Sequence, residues 1–309
     1  MRNVLLALFG LTAGQGVVWY GSQFYALLFL TQTLKLDGVS AGLLMGAALL
    51  LAMPCFWLAG ALSDRIGRKP VIIAGLLFSV FAYFPVFHAL AAAGNPQLVA
   101  ASARSPVTLV ADPRDCSFQF NPLGIVRFDS SCDVARQLLA GAAVDYRQGS
   151  APGLAHIHVG ARDLAVFDGK GLPDDTYAAA LTRLHGQLEQ ALRAAGYPAR
   201  ADPARIDRVR IVLLLALLAA GVALVYGPLA AALIELFPTR IRYTSLSLPY
   251  HIGNGWFGGL LPTIAFALVA EHGSIYQGLW YPVAVAGLSV GVTLLWLPET
   301  SRRDIYAHD

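Results

Sequence analysis

The sequence has few charged residues and few cysteines. Only 13% of its 309 residues are charged, against roughly a quarter in an ordinary soluble domain, and its mean hydropathy is +0.58. This composition excludes a water-soluble globule for most of the chain. The sequence has three cysteines but no Cys-x-x-Cys pair or histidine cluster, so it offers no metal site. Without a run of like charges, it also offers no surface for nucleic acid.

The few charges are concentrated in one segment. Residues 94–208 contain 12 basic and 12 acidic residues, whereas the other 194 residues contain 10 and 7. This distribution is typical of a membrane protein that carries one water-exposed insert. We therefore expect three domains, namely membrane helices one to three in 1–93, the insert in 94–208, and membrane helices four to six with a cytoplasmic tail in 209–309.

Six apolar stretches are each long enough to cross a bilayer, whose core of about 30 Å requires about 20 helical residues. The predicted spans are 4–30, 39–62, 71–93, 211–237, 245–269 and 278–297. In the insert, short β-type runs predict strands at 107–110, 117–120, 155–159 and 164–167, and helical patterns predict helices at 133–142 and 174–195. The predicted fold class is an all-α membrane protein with a small α+β insert.

The basic residues of the short connections predict the orientation, because Lys and Arg accumulate on the cytoplasmic side. One side of the membrane collects Arg2, Arg65, Arg68, Lys69, Arg240, Arg242, Arg302 and Arg303. The other side has only Lys35 and Arg210 near span ends, and a long insert is exempt from the rule. We expect both termini in the cytoplasm and the insert outside, in the periplasm of a Gram-negative bacterium.

The insert contains two of the three cysteines. An oxidising compartment would let Cys116 and Cys132 pair, which agrees with an external insert. The alternative is two free thiols in a reducing compartment, which requires the opposite orientation. His156 and His158 alternate as in a strand and are interpreted as surface residues. No nucleophile with a base and no phosphate loop is present, so neither an enzyme nor a cofactor is expected.

A charged motif connects the second and third spans. It has the sequence Gly60-Ala-Leu-Ser-Asp64-Arg65-Ile-Gly67-Arg68-Lys69-Pro70. Gly67 permits a tight turn, Pro70 suits a helix start, and the three cations hold the connection in the cytoplasm. The motif resembles the signature loop of the major facilitator superfamily, G-x-x-x-D-R-x-G-R-K, at every fixed position.

Two further segments support this resemblance. The fourth span is followed by Glu235-Leu-Phe-Pro-Thr-Arg-Ile-Arg242, and the sixth ends in Leu-Pro-Glu-Thr. They are similar to the E-x-F-P-T-x-x-R and P-E-T segments of sugar porters and of the metabolite:proton symporter branch. The resemblance implies the C-terminal six helices of such a protein, built as two inverted triplets. The N-terminal six-helix half would be missing, separate or replaced by a second copy.

The resemblance also implies a cytoplasmic gate whose ion pairs favour the outward-open state. Its residues are Gly60, Asp64, Arg65, Gly67, Arg68, Lys69, Glu235, Arg240 and Arg242. In this gate, Asp64 is expected to face the start of the fifth span near Thr244 and Ser245. Glu235 is expected to pair with Arg65 or with Arg68.

Polar side chains within the spans are costly in hydrocarbon and tend to face the bundle interior. The candidates for contact with a substrate are Gln15, Trp19, Tyr20, Gln23, Tyr226, His251 and Asn254. His251 is a candidate for proton coupling, because an imidazole titrates near neutral pH. The alternative role of these residues is hydrogen bonding between helices, which contributes about 0.6 kcal/mol on average.

The sequence therefore predicts half of a secondary active transporter in a bacterial inner membrane. It would move a small polar or anionic solute with protons by alternating access. The expected partners are the solute, protons, the lipid bilayer and the other six-helix half, and nucleic acid is not expected. Two alternatives stay open: a half-transporter that forms a homodimer, and a membrane sensor that uses the insert as its receptor.

Overall fold

The computed structural model describes residues 1–123 and 125–301, so Arg302, Arg303 and the rest of the tail lie outside the described residues. The helices are α1 (Arg2–Thr33), α2 (Gly38–Ile66), α3 (Arg68–Gly94), α4 (Pro96–Arg104), α5 (Ser131–Gly141), α6 (Asp174–Ala194), α7 (Arg208–Leu236), α8 (Thr239–His272) and α9 (Gln277–Trp296). Six of them, namely α1, α2, α3, α7, α8 and α9, are long and apolar enough to cross a membrane. The prediction of six helices long and apolar enough to span a membrane is confirmed.

Local chemistry explains where these helices begin and end. The Asp37 carboxylate accepts a hydrogen bond from the Ser40 backbone N–H at 2.9 Å, so it caps the start of α2. The boundary between α2 and α3 is Gly67, whose φ of +103° and ψ of 158° suit only glycine. The Asn95 side chain caps α4, which starts at Pro96, the first position that proline favours.

Close contacts between backbones hold the membrane helices together. A Cβ atom on Gly16 of α1 would lie 2.5 Å from the carbonyl oxygen of Gly253 in α8. A Cβ atom on Gly227 of α7 would lie 3.1 Å from the carbonyl oxygen of Phe56 in α2. Small residues permit this approach in a bilayer, where helix association depends on packing. The helix α7 packs against both α2 and α3, whereas α1 packs against α8 and α9.

One face of α2 carries large apolar side chains that no other part of the described chain covers. Its most exposed members are Val39, Leu43, Leu50, Met53 and Trp57, each between 69% and 74% exposed. Their spacing of three, four and seven residues places them along one helical face. This face is available to lipid or to another protein.

The insert contains a four-stranded mixed sheet. Its strands are β1 (Val107–Ala111), β2 (Tyr146–Ser150), β3 (His156–Val159) and β4 (Arg162–Ala165), in the order β2-β1-β3-β4. The strands β1 and β2 are parallel, with α5 between them in the chain, and the other two pairs are antiparallel. The predicted helices and the strand predictions at 107–110, 155–159 and 164–167 all overlap observed elements. The strand β2 and the helix α4 were not predicted.

The predicted strand at 117–120 is wrong. Among the residues that the structure describes, this segment has no sheet partner, and its polar groups are bound to α5 instead. The Asp133 carboxylate accepts hydrogen bonds from both the backbone N–H and the hydroxyl of Ser117, each at 2.7 Å. A disulfide joins Cys116 to Cys132 at the start of α5. These two links hold the segment beside a helix rather than in the sheet.

The insert is anchored to the connection between α8 and α9, at the end of the bundle opposite the α2–α3 turn. The backbone N–H of Tyr146 donates to the carbonyl of Gly273 at 2.6 Å, and Asp145 accepts from the N–H of Ile275 at 2.7 Å. Arg136, whose side chain is only 5% exposed, forms an ion pair with Glu271 at 2.8 Å. Burial raises the pKa of the Asp145 carboxyl, although the Ile275 bond opposes this shift.

Candidate functional site

Arg68 lies at the centre of a charged cluster where α2, α3 and α7 meet. Its Nη2 atom is 3.2 Å from Oε1 of Glu235, and its Nη1 atom donates to Asp64 and, at 2.9 Å, to the hydroxyl of Ser63. The side chains of Arg68 and Glu235 are 13% and 15% exposed, whereas that of Asp64 is 67% exposed. The Arg68–Glu235 pair is therefore largely removed from solvent, and the Asp64 pair is not.

The segment after α9 joins this cluster and caps α3. The Glu299 carboxylate accepts the backbone N–H groups of Arg68 and Lys69 at 2.9 and 3.0 Å. In return, the Lys69 ammonium group donates to the carbonyls of Leu294 and Leu297 at 3.0 and 2.9 Å. An anion thus lies at the positive end of α3 and a cation at the negative end of α9, the favourable placement for both helix dipoles.

The surroundings of Glu299 favour its ionised form. Burial alone would raise the pKa of its carboxyl, but backbone N–H donors outweigh burial, so the pKa falls below its ordinary value. These donors are the N–H groups of Ser301, Arg68, Lys69 and Thr300. The Thr300 hydroxyl donates to Oε2 of Glu235 at 2.7 Å, which connects the two carboxylates. We call Asp64, Arg68, Glu235, Glu299 and Thr300 the Arg68 cluster.

Gly67 is required at the centre of this arrangement for two reasons. Its backbone lies in a region that only glycine adopts readily, and a Cβ atom there would lie 2.5 Å from Oε2 of Glu299. Gly60 contributes a carbonyl that accepts the Ser63 hydroxyl at 2.7 Å. A Cβ atom on Gly60 would meet no other part of the described chain within 4 Å, so of these two motif positions the structure requires glycine at Gly67.

The predicted gate residues separate into two groups. Asp64, Gly67, Arg68, Lys69 and Glu235 come together, whereas Arg65 and Arg240 are exposed. Arg242 donates from Nε to the carbonyl of Phe237 at 3.2 Å. Its Nη2 atom is buried and has no hydrogen-bond partner within residues 1–123 and 125–301.

One detail of the predicted pairing differs from the structure, and one agrees with it. Asp64 contacts Arg68, and in the described part of the chain it has no hydrogen bond to Thr244 or Ser245. Of the two partners predicted for Glu235, the structure pairs it with Arg68. Sequence reasoning assigned no role in the gate to Ser63, Glu299 or Thr300, although the P-E-T segment was a signal for the last two.

The polar residues of α1 lie in two different environments. Thr12 donates its hydroxyl to the carbonyl of Pro249 at 2.7 Å, so it joins α1 to α8. Gln15 is 1% exposed, and neither its Nε2 nor its Oε1 atom has a hydrogen-bond partner in the described residues. A buried amide without partners is unfavourable by about 1 to 3 kcal/mol. Gln15 is therefore the side chain of this group that most needs a further ligand.

Aromatic rings surround the next turns of α1. The ring centroids of Trp19 and Tyr20 are 5.0 Å apart, and that of Phe24 lies 5.2 Å from Tyr20. The Tyr20 ring also packs on Gly258 of α8, where a Cβ atom would approach it to 2.4 Å. Gln23, one turn beyond Trp19, is partly exposed.

The candidates on α7 and α8 face the open side of the bundle. The hydroxyls of Tyr226 and Tyr250 are 3.3 Å apart, and Tyr226 is 37% exposed. Asn254 donates to the carbonyl of Tyr250 at 3.0 Å, a bond within its own helix. His251 is exposed. Together with Trp19, Tyr20 and Gln23, these side chains form a partly open polar and aromatic surface, whereas Gln15 is buried within the bundle.

Parts of the chain match known transport proteins. It is 36% identical over 97 residues to the inner membrane metabolite transport protein YhjE of Escherichia coli, a match that covers 30% of this chain and 22% of that protein. It is 37% identical over 81 residues to a proline/betaine transporter of Escherichia coli (26% and 15%). It is 31% identical over 83 residues to a citrate-proton symporter of Salmonella typhi (27% and 19%).

These matches span about a quarter or less of each relative's length. No family model matches the chain. No solved structure matches it either. The relatives are membrane transporters, and with the six membrane-capable helices they confirm the resemblance to metabolite:proton symporters.

Proposed function

We propose that this chain is the C-terminal six-helix half of a secondary active transporter that moves a small polar or anionic metabolite with protons by alternating access. The observation that carries the proposal is the Arg68 cluster, which ties the ends of α2, α3, α7 and the segment after α9 through ionic contacts. The relatives support it, since their names describe the transport of metabolites, of proline or betaine, and of citrate with protons.

In this proposal, α1–α3 of residues 1–93 and α7–α9 of residues 209–309 form two inverted triplets, and residues 94–208 form a separate domain. Both termini lie in the cytoplasm of a bacterial inner membrane, and the insert lies in the periplasm. The basic residues at the α2–α3 turn support this orientation. The disulfide between Cys116 and Cys132 supports it too, because disulfides persist in oxidising compartments.

Thiol labelling tests the orientation. In a Cys55→Ser background, a membrane-impermeant maleimide should label intact spheroplasts only after reduction, when Cys116 and Cys132 become free. A Cys116→Ser, Cys132→Ser variant in the same background is the control and should stay unlabelled. Labelling that requires permeabilised membranes would place the insert in the cytoplasm and contradict the proposed topology.

The Arg68 cluster acts as the cytoplasmic gate. With the gate closed, the pair of Arg68 and Glu235 holds α3 to α7, and Glu299 holds α3 to the end of α9. An exposed pair such as Asp64 with Arg68 contributes about 0 to 1 kcal/mol. Such small energies suit a gate that must also open. A solute shifts the equilibrium between the closed and open gate only by the difference in its affinity for these two states.

The solute contacts α1, α7 and α8 where they face the other six-helix half. Gln15, Gln23, Tyr226 and Asn254 supply hydrogen bonds, while Trp19, Tyr20 and His251 line the surface. The unpartnered amide of Gln15 supports this placement. The other six-helix half is either a separate chain or a second copy of this chain.

Uptake into proteoliposomes tests the proposed function. Labelled citrate and labelled proline are offered under an imposed proton gradient, with the chain alone and with a relative's N-terminal half. We expect gradient-driven uptake. The uptake rate should fall at least about tenfold in Arg68→Gln, which corresponds to an activation free energy higher by about 1.4 kcal/mol. The exposed control Arg183→Gln should transport normally.

The two alternatives give different results in this assay. Uptake by the chain alone would indicate a homodimeric half-transporter. Solute binding without uptake in either arrangement would favour a sensor. In Asp64→Asn, the gate should open inward more often, so a cysteine probe near Arg240 should react faster from the cytoplasmic side, and unchanged reactivity would contradict the gate.

A further inference from the structure

A cavity of about 910 Å³ lies at the end of the bundle that carries the insert. The ends of α1 and α2 form one wall, and α6 with the chain that returns to α7 forms the other. No residue of the Arg68 cluster and none of the proposed substrate contacts lines it. This cavity is therefore distinct from the site described above.

The charged lining of this cavity is mainly cationic. Its charged residues are Lys35, Asp37, Glu189, Arg193, Arg200 and Arg208. The Asp37 carboxylate accepts the Ser40 N–H at 2.9 Å and interacts electrostatically with Arg200, and Glu189 lies 3.5 Å from Arg193 one helical turn away. Within residues 1–123 and 125–301, Lys35, Arg200 and Arg208 form no ion pair within 4 Å. With four cations against two carboxylates, the lining keeps a net positive charge.

Lys35 is the most constrained of these cations. Its φ of +59° is unusual for a residue other than glycine, and such strain persists only where the surroundings enforce it. Its carbonyl accepts the N–H of Ala201 at 3.1 Å, and its Nζ atom is 3.5 Å from the carbonyl of Pro198. Burial lowers the pKa of the Lys35 ammonium group, an effect that Glu189 opposes. A bound anion would favour the charged form further.

Part of the cavity lining is apolar. Leu43 and Leu44 of α2 belong to this part. Leu43 also borders a groove of about 700 Å³ that continues along α2 past Gly46 to Met53. The lining thus combines cationic groups with an apolar surface, a combination that fits a ligand with a charged end and an apolar portion.

We propose that this cavity binds an organic anion, whose carboxylate or phosphate group contacts Lys35, Arg200 and Arg208 and whose apolar portion rests on Leu43. A soluble metabolite and the headgroup of an anionic phospholipid both offer this chemistry. A cationic cleft attracts such ligands and raises their local concentration. This proposal depends on the proposed function in one respect only, namely which compartment the cavity faces.

The test uses the full chain and two probes. Benzoate binding is measured by calorimetry in a neutral detergent, and phosphatidylglycerol binding is measured by native mass spectrometry against phosphatidylcholine. The test variant is Arg200→Gln, Arg208→Gln, since both residues are exposed and their replacement leaves the fold intact. The matched control is Arg183→Gln, Arg205→Gln, which removes the same charge from residues outside the cavity lining.

We expect at least one probe to bind about tenfold more weakly to the test variant than to the control, and added salt to weaken binding to the unmodified chain. A loss confined to benzoate identifies a soluble ligand, and one confined to phosphatidylglycerol identifies a lipid. Absence of binding by both probes, or equal weakening in the control, would overturn the proposal. No gradient is imposed, so this result is independent of the uptake assay.

Discussion

Replacing Arg68 with glutamine removes the cation between Asp64 and Glu235 while keeping a polar side chain of similar length. The Glu235 carboxylate would then be left 15% exposed, with the Thr300 hydroxyl as its remaining partner within residues 1–123 and 125–301. The Asp64 carboxylate is 67% exposed and would simply be hydrated. The two acids should therefore respond very differently to the same substitution.

The magnitude follows from these exposures. Removing one partner of a buried pair destabilises a protein by about 3 to 5 kcal/mol, because a charge stays behind without its counterion. Since Thr300 still donates to Glu235 at 2.7 Å, we expect a loss near the lower limit, about 3 kcal/mol. Removing the exposed charge in Asp64→Asn should lower the free energy of unfolding by about 1 kcal/mol or less.

A double-mutant cycle separates the pair from its surroundings. The free energy of unfolding is measured by sodium dodecyl sulfate titration, followed by circular dichroism, for Arg68→Gln, Glu235→Gln and the double variant. We expect a coupling energy of about 1 to 3 kcal/mol between these two sites, since residues in one network are not additive. Arg68→Lys keeps the charge but loses the forked geometry, so it should give an intermediate loss.

Two results would refute this reasoning. If Asp64→Asn destabilises the protein as much as Arg68→Gln, burial does not decide the strength of these pairs. If the losses in Arg68→Gln and Glu235→Gln simply add in the double variant, the two side chains do not interact. In either case, the proposed gate would lose its energetic basis.

Three further predictions concern Gly67, Glu299 and Gln15. Gly67→Ala should lower the free energy of unfolding by about 1 to 3 kcal/mol, since alanine is strained at a φ of +103° and its Cβ would displace Glu299. An unchanged denaturation midpoint would contradict this backbone conformation. The pKa of the Glu299 carboxyl is lower in the folded state than in the unfolded state. The ionised Glu299 therefore stabilises the fold fully when the pH is above the unfolded-state pKa, and this stabilisation disappears as the pH falls through the folded-state pKa. Unfolding measured between pH 3 and pH 6 should show this slope in the unmodified chain and not in Glu299→Gln, and equal slopes would exclude the effect. Gln15→Leu should leave the free energy of unfolding unchanged or raise it, while abolishing solute uptake. A lower free energy of unfolding with normal uptake would instead assign Gln15 a role in the fold.

Local patterns were sufficient to predict the helices. Each of the six spans is defined by a run of apolar residues, and a bilayer imposes that length on each helix separately. In the insert, the helices at 133–142 and 174–195 also have local signals, since Asp174 and Asp175 lie in the first turn of α6. For these elements, the sequence within the element was enough.

Non-local interactions account for the errors. The strand β2 has the polar sequence Tyr-Arg-Gln-Gly-Ser and no alternating apolar pattern, and it forms because β1 offers it a parallel partner. The segment 117–120 has strand-forming residues but is held by Asp133 and the disulfide. In both cases, a partner distant in the chain decided the local conformation.

The candidate site shows the same division. Hydropathy and motif spacing, which depend on residues close together in the chain, were enough for the six membrane helices and for the charged turn at residues 64–69. The choice of Arg68 over Arg65 as the partner of Glu235 joins residues 167 positions apart, and the capping of α3 by Glu299 joins residues 231 apart. The tertiary structure alone decided these contacts, because an ion pair forms only between groups that folding brings within a few ångströms of each other.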